Sequence, residues 1–434
     1  VGVTYRVGAG GSLEGRLRVP GDKSISHRAV MLAAIAQGES RIAGCLEAED
    51  VVATMNAFRA LGVRIEGPRE GRVTVHGVGL RGLRAPERAL DCGNSGTAMR
   101  LLAGVLAAQP FDSELTGDES LRRRPMRRVA EPLARMGARI ETAADGCPPL
   151  RIRGGARLRG IRYSMPVASA QVKSALLLAG LYAEGRTCVS EPAPTRDHTE
   201  RMLSGFGWPT EREGDTVCVQ GGAVLHATDI EVPGDLSSAA FFLVGASIAE
   251  GSDLVLEHVG VNPTRTGALE ILRRMGADIR LLNERTAGGE PVADIWVRGA
   301  RLRGIEVPPE LVPLAIDEFP VLFVAAANAQ GETVVRGAAE LRVKESDRIA
   351  AMAEGLAALG VAVETAPDGM RVRGGAYGGA RVRSHGDHRV AMAFAIAALR
   401  AGGPITIEDC ANVATSFPGF PELARVAGLR IEVE

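Results

Sequence analysis

The sequence predicts an α/β protein made of six similar modules arranged as two groups of three. Three observations carry this. An apolar helical run followed by Gly and a short β-rich run recurs along the chain. A second helix, ending in a small-residue turn before a strand, follows each copy. The tetrapeptide VPGD occurs twice, at Val19–Asp22 and at Val232–Asp235, each time ahead of three modules.

The copies of the first motif are AVMLAAIAQGESRIAG from Ala29, the looser AMRLLAGVLAAQPFDSELTG from Ala98, and SALLLAGLYAEGRTCVS from Ser174. They continue as AAFFLVGASIAEGSDLVL from Ala239, PVLFVAAANAQGETVVRG from Pro320 and VAMAFAIAALRAGGPITI from Val390. Their spacing of about 70 residues exceeds the period of ordinary solenoids. The second motif reads FRALGVRIEG, LARMGARIET, LSGFGWPTER, LRRMGADIRL, LAALGVAVET and LARVAGLRIE. Each module therefore reads as helix, strand, helix, strand, with further β segments such as RVTVHG and MRVRGG between. The VPGD pair divides the chain into a domain of residues 21–233 and a second of 1–20 plus 234–434. Pro-Gly turns make both crossings candidate hinges.

Composition bounds the function. The chain has 434 residues, 46% hydrophobic and 24% charged, as in an ordinary globular protein. Aromatics are only 4%, so Ala, Val, Leu and Ile must fill the core. A net charge of −1, from 51 basic and 52 acidic side chains, argues against a dedicated nucleic-acid binder. The six cysteines form no C-x-x-C pair and read as reduced thiols, neither a disulfide frame nor a zinc site. No secretory signal is read ahead of the first turn-rich segment. Apolar runs such as Ala239–Ala249 are about half the length of a membrane span. The expectation is a cytoplasmic protein that engages neither membrane nor nucleic acid.

Polar residues gather just ahead of each first helix. They are Asp22-Lys23-Ser24-Ile25-Ser26-His27-Arg28, Asn94-Ser95-Gly96-Thr97, Ser169-Ala170-Gln171, Asp235-Leu236-Ser237-Ser238, Asp317-Glu318 and His385-Gly386-Asp387-His388-Arg389. Asp, Ser, Asn and Thr cap helices, and capping is the preferred reading for Asp235, Ser237 and Ser238. Capping does not call for Lys23, Arg28 or Arg389, because a cation opposes the helix dipole there. Free N–H groups, the positive end of the dipole and point charges together make an anion site. Two basic segments add to this: LRRRPMRR (Leu121–Arg128) and LRVKESDR (Leu341–Arg348). The first also reads as a solvated loop or nucleic-acid patch, the second as a helix start laced with ion pairs. His385 and His388 lack a third ligand nearby, so no metal is expected.

PGDKSISHRA, GNSGTAMRLL, ELTGDESLRRRPM, SAQVKSALLLAGL, LRVKESDRI, GDHRVAMAF and ATSFPGFPE resemble, in order and from Pro20 to Glu422, the signature segments of the EPSP synthase family. The resemblance implies a two-domain inside-out α/β barrel, each domain three βαβαββ units, with the active site in the interdomain cleft. It implies enolpyruvyl transfer from phosphoenolpyruvate to the 5-hydroxyl of shikimate 3-phosphate, with release of phosphate, without organic cofactor or obligatory metal. The product feeds chorismate and aromatic amino acids. A monomer is expected.

Carried over by motif, Lys23, Ser24, Arg28, Ser169, Ala170, Gln171, Arg196, Asp317 and Lys344 contact shikimate 3-phosphate. Lys23, Gly96, Arg124, Gln171, Arg348 and Arg389 contact phosphoenolpyruvate. The resemblance makes Lys23, Asp317 and Glu345 the acid/base set: Asp317 takes the hydroxyl proton, while Lys23 and Glu345 share proton delivery and removal at C3. Lys23 is expected in cationic surroundings. Arg suits carboxylate and phosphate because its planar fork bonds both bidentately.

The sequence departs from some members at three places. Ala170 replaces a second Ser. Thr195-Arg196-Asp197 stands where some have a Tyr near the sugar, with Arg196 expected to compensate. Thr415 stands where some carry a Lys. Gly96 favours sensitivity to glyphosate. The enzymatic rival is UDP-N-acetylglucosamine enolpyruvyl transferase, which typically shows Lys-Asn where this chain has Lys23-Ser24, and a loop Cys where it has Arg-Arg-Arg-Pro. The other rival is a non-catalytic anion-binding relative, for which the combination of Lys23, Asp317 and Glu345 has no use.

Overall fold

The computed structural model describes residues 2–434. The chain forms two compact units. The first is Gly21–Val232 with Ala287–Glu290; the second is the chain up to Pro20, Pro233–Thr286 and Pro291–Glu434. Pro233 thus clusters with the second unit, and the turn between strands Asp278–Ala287 and Glu290–Arg298 clusters with the first.

Each module supplies two helices. In the first unit they are α1 (Lys23–Ile35) and α2 (Glu49–Ala60), α3 (Gly96–Leu106) and α4 (Arg127–Arg135), α5 (Ala170–Gly180) and α6 (His198–Gly205). In the second they are α7 (Leu236–Ile248) and α8 (Gly267–Arg274), α9 (Phe319–Ala327) and α10 (Arg348–Leu359), α11 (His388–Ala397) and α12 (Phe420–Ala427). The first helix of each pair is apolar nearly all round and is buried on every side: α7, α9 and α11 have no exposed residue. A helix with no polar face has to sit inside. The second helices are amphipathic. In α8, Ala268, Leu269, Ile271 and Leu272 turn inward while Arg273 and Arg274 face water.

Six small sheets surround these inner helices, one per module. In the first module, Gln37–Ala43 pairs antiparallel with Arg72–Val78, which pairs antiparallel with Arg64–Arg69. The lead strand, parallel to Gln37–Ala43, is Ile230–Glu231 from the far end of the same unit. The N-terminal residues do the same for the second unit. Glu14–Leu17 pairs parallel with Asp253–Gly260, and Tyr5–Val7 lies between Ile405–Glu408 and Ile431–Val433. Sequence-distant strands thus complete a sheet in each unit. The sheets bury one face: in Leu150–Arg153, Leu150 and Ile152 point in and the two Arg point out. Each unit has its own apolar core, one built around Met31, Leu102 and Leu177, the other around Phe242, Phe323 and Phe394.

The reading of all six cysteines as thiols is corrected. Cys188 and Cys218 face each other across antiparallel strands Arg186–Ser190 and Thr216–Gln220 and form a disulfide, with Cα atoms 4.1 Å apart. Strand register brings them together across 30 residues, which no spacing rule reveals. Cys45, Cys92, Cys147 and Cys410 are free.

Candidate active site

In the first unit the starts of the three inner helices meet. Asp22 caps α1 by accepting from the Ile25 N–H at 2.9 Å, Ser95 caps α3 from Ala98 at 3.0 Å, and Ser169 caps α5 from Val172 at 3.3 Å. Side chains then tie these ends together. Gln171 donates to Thr97 Oγ1 at 2.9 Å and accepts from Arg100. His27 contacts Thr54 Oγ1 at 2.7 Å and Ser95 Oγ at 3.3 Å. Burial, followed by the Lys23 and Arg28 charges, lowers the His27 pKa well below its ordinary 6.5, so this imidazole is neutral.

Four cations stand on this framework. Lys23 Nζ lies 3.0 Å from Asp50 Oδ2, so its near neighbour on α2 is a carboxylate. Arg28 is buried and donates to Thr199 Oγ1 at 2.7 Å, Ser174 Oγ at 2.9 Å and the Ser24 carbonyl at 3.0 Å. Arg196 donates to Ser24 Oγ at 3.1 Å, which places it beside the residues it was expected to join. Of the basic run Leu121–Arg128, Arg124 turns inward and donates to Asn94 Oδ1 at 2.9 Å, while Arg123 stays in solvent paired with Glu119. Asn94 in turn donates to Asp118 at 2.7 Å, so the loop is anchored at both ends. A Cβ on Gly96 would lie 2.9 Å from the Arg100 guanidinium and 3.1 Å from that of Arg124. Glycine therefore lets both guanidiniums crowd the start of α3. Lys23, Ser24, Arg28, Gly96, Arg124, Ser169, Ala170, Gln171 and Arg196 all lie on these helix starts and their adjoining loops.

In the second unit one buried guanidinium is the hub. Arg348, at the start of α10, is 1% exposed. It donates to Asp387 Oδ2 at 2.8 Å and Glu345 Oε2 at 2.7 Å, with Asp317 Oδ1 at 3.4 Å. Burial disfavours its charge, but Asp387, Glu345 and Asp317 outweigh that and raise its pKa. Burial likewise raises the Asp387 carboxyl, and Arg348 outweighs it to hold the pKa below the usual carboxylate range. Lys344 Nζ sits 3.2 Å from Asp317 Oδ1, and Arg389 donates to the Asp317 carbonyl at 3.1 Å. Asp317, Lys344, Glu345, Arg348 and Arg389 therefore form one cluster.

Helix capping and local ion pairing account for part of these polar segments. Asp235 does cap α7, accepting from Ser237 N at 2.8 Å. Ser237 does more than the capping reading allowed: its hydroxyl bonds Glu318 and accepts from buried Arg265 at 2.8 Å. The LRVKESDR segment has its local ion pairs, Arg348–Glu345 and Arg342–Asp347, but Lys344 reaches outside the segment to Asp317. Thr415 is buried and spends its hydroxyl on the Asn412 carbonyl at 2.7 Å. Sequence reasoning missed Arg100, Asp50 and the pairing role of Asp387. Arg100 was accessible, because it lies one helical turn after Gly96 on the same face. Asp50 gave no such signal.

The model of the family described as EPSP synthase (3-phosphoshikimate 1-carboxyvinyltransferase) matches residues 7–423. The chain belongs to the EPSP synthase family. A 3-phosphoshikimate 1-carboxyvinyltransferase of Alkalilimnicola ehrlichii is 68% identical over 98% of this chain and 96% of the relative. One from Halorhodospira halophila is 68% identical over 100% of this chain and 98% of the relative. An EPSP synthase structure from Acinetobacter baumannii superposes with TM-score 0.89 at 56% identity, covering 100% of both chains. The enolpyruvyl transferase NikO of Streptomyces tendae, 21% identical over 100% of this chain and 99% of its own with TM-score 0.78, shares the fold. Family membership makes the polar helix starts of each unit the candidate site and disfavours the UDP-N-acetylglucosamine rival.

Proposed function

We propose that this chain transfers the enolpyruvyl group of phosphoenolpyruvate to the 5-hydroxyl of shikimate 3-phosphate, releasing phosphate on the route to chorismate and aromatic amino acids. The observation that carries the reading is the pair of clusters at helix starts, one rich in cations and hydroxyls, the other holding three carboxylates on buried Arg348, in a chain of this family.

The first unit supplies most of the binding contacts, and the second supplies Asp317 and Glu345, two of the three proton carriers. Arg28, Arg196 and Ser24, with Ser169, Ala170 and Gln171 at the start of α5, take the sugar phosphate. Arg124 and the N–H groups of α3 at Gly96 take phosphoenolpyruvate, with Lys23 and Gln171 serving both ligands. Arg348 and Arg389 complete the phosphoenolpyruvate clamp, and Lys344 with Asp317 addresses the sugar hydroxyls. One cation–anion contact is worth about 4 kcal/mol at an effective dielectric near 20, so several offset the repulsion of two anions.

Asp317 accepts the 5-hydroxyl proton as that oxygen bonds C2 of the enol. C3 gains a proton, giving a tetrahedral adduct that keeps the phosphate. C3 then returns a proton and the C2–O bond to phosphate breaks with its electron pair. Glu345 and Lys23 carry the C3 protons, which needs groups that act both as acid and base.

This reading requires both clusters to act on one pair of substrates in the cleft between the domains. Closure of the domains on shikimate 3-phosphate follows, and small-angle scattering with and without that ligand tests it; unchanged dimensions count against it. Phosphate release from the two substrates tests the reaction itself. Release with UDP-N-acetylglucosamine in place of shikimate 3-phosphate selects the rival transferase, and no release selects a non-catalytic relative.

We further propose a monomer, without nucleic-acid partner, that glyphosate inhibits. Among the described residues no helix is long and apolar enough to cross a membrane. We assign the reaction to the cytoplasm, although the Cys188–Cys218 disulfide speaks for a less reducing setting. Trapping thiols at cell lysis and counting alkylated cysteines decides between them.

A further inference from the structure

Lys173 lies on α5 just beyond Ser169-Ala170-Gln171, and its side chain is 0% exposed. Its Nζ is 3.1 Å from Glu191 Oε2, which it hydrogen-bonds, and 2.7 Å from Glu200 Oε1, a charge contact outside hydrogen-bonding geometry. Glu200 is on α6. Glu191 opens the loop that carries Arg196, and it also accepts from the Thr195 N–H at 3.0 Å, from the Thr195 hydroxyl and from Arg212 at 3.2 Å. The same two helices hold Arg28, through Ser174 of α5 and Thr199 of α6.

A buried ion triad costs several kcal/mol of desolvation, and packed apolar residues of similar volume often serve stability as well or better. Stability alone therefore does not account for charges here. What the charges supply is direction: one ammonium fixes the spacing of α5, α6 and the Glu191–Thr195 loop at once. Those three elements carry or hold every expected sugar-phosphate contact of this unit except Lys23 and Ser24, and Arg196 bonds Ser24. We propose that Lys173, with Glu191 and Glu200, is a positioning residue that sets Arg28, Arg196 and the start of α5 to the size of the shikimate 3-phosphate phosphate group. The inference rests on the function proposed above.

The test is calorimetric titration of shikimate 3-phosphate alone into the full chain, paired with steady-state kinetics. The variant Lys173→Met with Glu191→Gln and Glu200→Gln removes all three charges and leaves no buried ion alone. Its dissociation constant for shikimate 3-phosphate is expected to rise about tenfold or more, equivalent to ~1.4 kcal/mol or more. KM for phosphoenolpyruvate at saturating shikimate 3-phosphate should stay within about twofold. A purely structural role would not separate the two ligands. Affinity within about twofold of wild type overturns the inference, as does equal weakening for both substrates. If the triple variant does not fold, Glu200→Gln alone decides: weaker shikimate 3-phosphate binding supports the role, and unchanged binding ends it. Failure of the wild-type chain to bind shikimate 3-phosphate would overturn the functional reading and this inference together. Loss confined to the variant separates the two.

Discussion

Replacing Arg348 with Met removes a guanidinium that reaches Asp387, Glu345 and Asp317 together. The three carboxylates do not suffer alike. Asp387 is 0% exposed and cannot recover water, whereas the side chains of Glu345 and Asp317 keep 17% and 15% exposure. Breaking a buried pair from one side costs about 3–5 kcal/mol, because the remaining charge is stranded. We assign most of that to Asp387. Asp387→Asn should cost less, since Asn still caps α11 and Arg348 keeps two carboxylates. With both substitutions the stranded charge is gone, so the double variant should recover about 2 kcal/mol or more of the summed single losses.

Urea unfolding followed by circular dichroism at neutral pH measures all four corners of this cycle. Arg348→Met within about 1 kcal/mol of wild type would refute the stranded-charge argument. So would a cycle additive to within about 0.5 kcal/mol, because residues in one network must couple. Arg348→Lys adds a geometric test. It keeps a charge but loses the planar fork that reaches Asp387 and Glu345 together, so stability should fall less than with Met while kcat still falls.

Three further outcomes follow. Buried His27 stays neutral in the fold while the unfolded chain takes up a proton near pH 6.5, so acid favours unfolding; stability should fall by up to about 1.4 kcal/mol per pH unit below that value, and His27→Gln should flatten this part of the profile in urea titrations run from neutral to mildly acidic pH. Gly96→Ala meets only the ends of two flexible Arg side chains, so the melting temperature should hold while KM for phosphoenolpyruvate rises about tenfold and that for shikimate 3-phosphate does not; equal changes in both would place Gly96 elsewhere. Glu345→Gln should lower kcat by about 10²–10⁴ with KM little altered, as loss of a proton carrier does, and a pure KM effect would remove Glu345 from the chemistry.

The six modules, the inner helices and most capping residues were legible because each is written in a short window of sequence. Periodicity gives helices, Gly marks their ends, and Asp or Ser before an apolar run gives a cap. The partners were not legible. Arg348 and Asp387 are 39 residues apart, and Lys23 and Asp50 are 27 apart. Neither separation matches a helix face or hairpin register: Arg348 meets Asp387 only through packing of one module on the next, and Lys23 meets Asp50 only through packing of the two helices within one module. Cys188 and Cys218 meet through the register of two neighbouring strands of one sheet, which a 30-residue separation does not disclose. One apparent choice posed by the sequence, capping or anion site, dissolves once the atoms are assigned. Capping uses side-chain acceptors: Asp387 accepts from the Arg389 N–H with Oδ1 while Oδ2 takes the Arg348 guanidinium at 2.8 Å. An anion would use the opposite chemistry at the same helix start, free N–H groups and guanidinium donors. A polar helix start can therefore be capped and still bind. The cap is in fact what holds the cations in place, for Asp387 neutralises buried Arg348 and orients its fork. Losing that carboxylate should accordingly disturb substrate binding as well as stability.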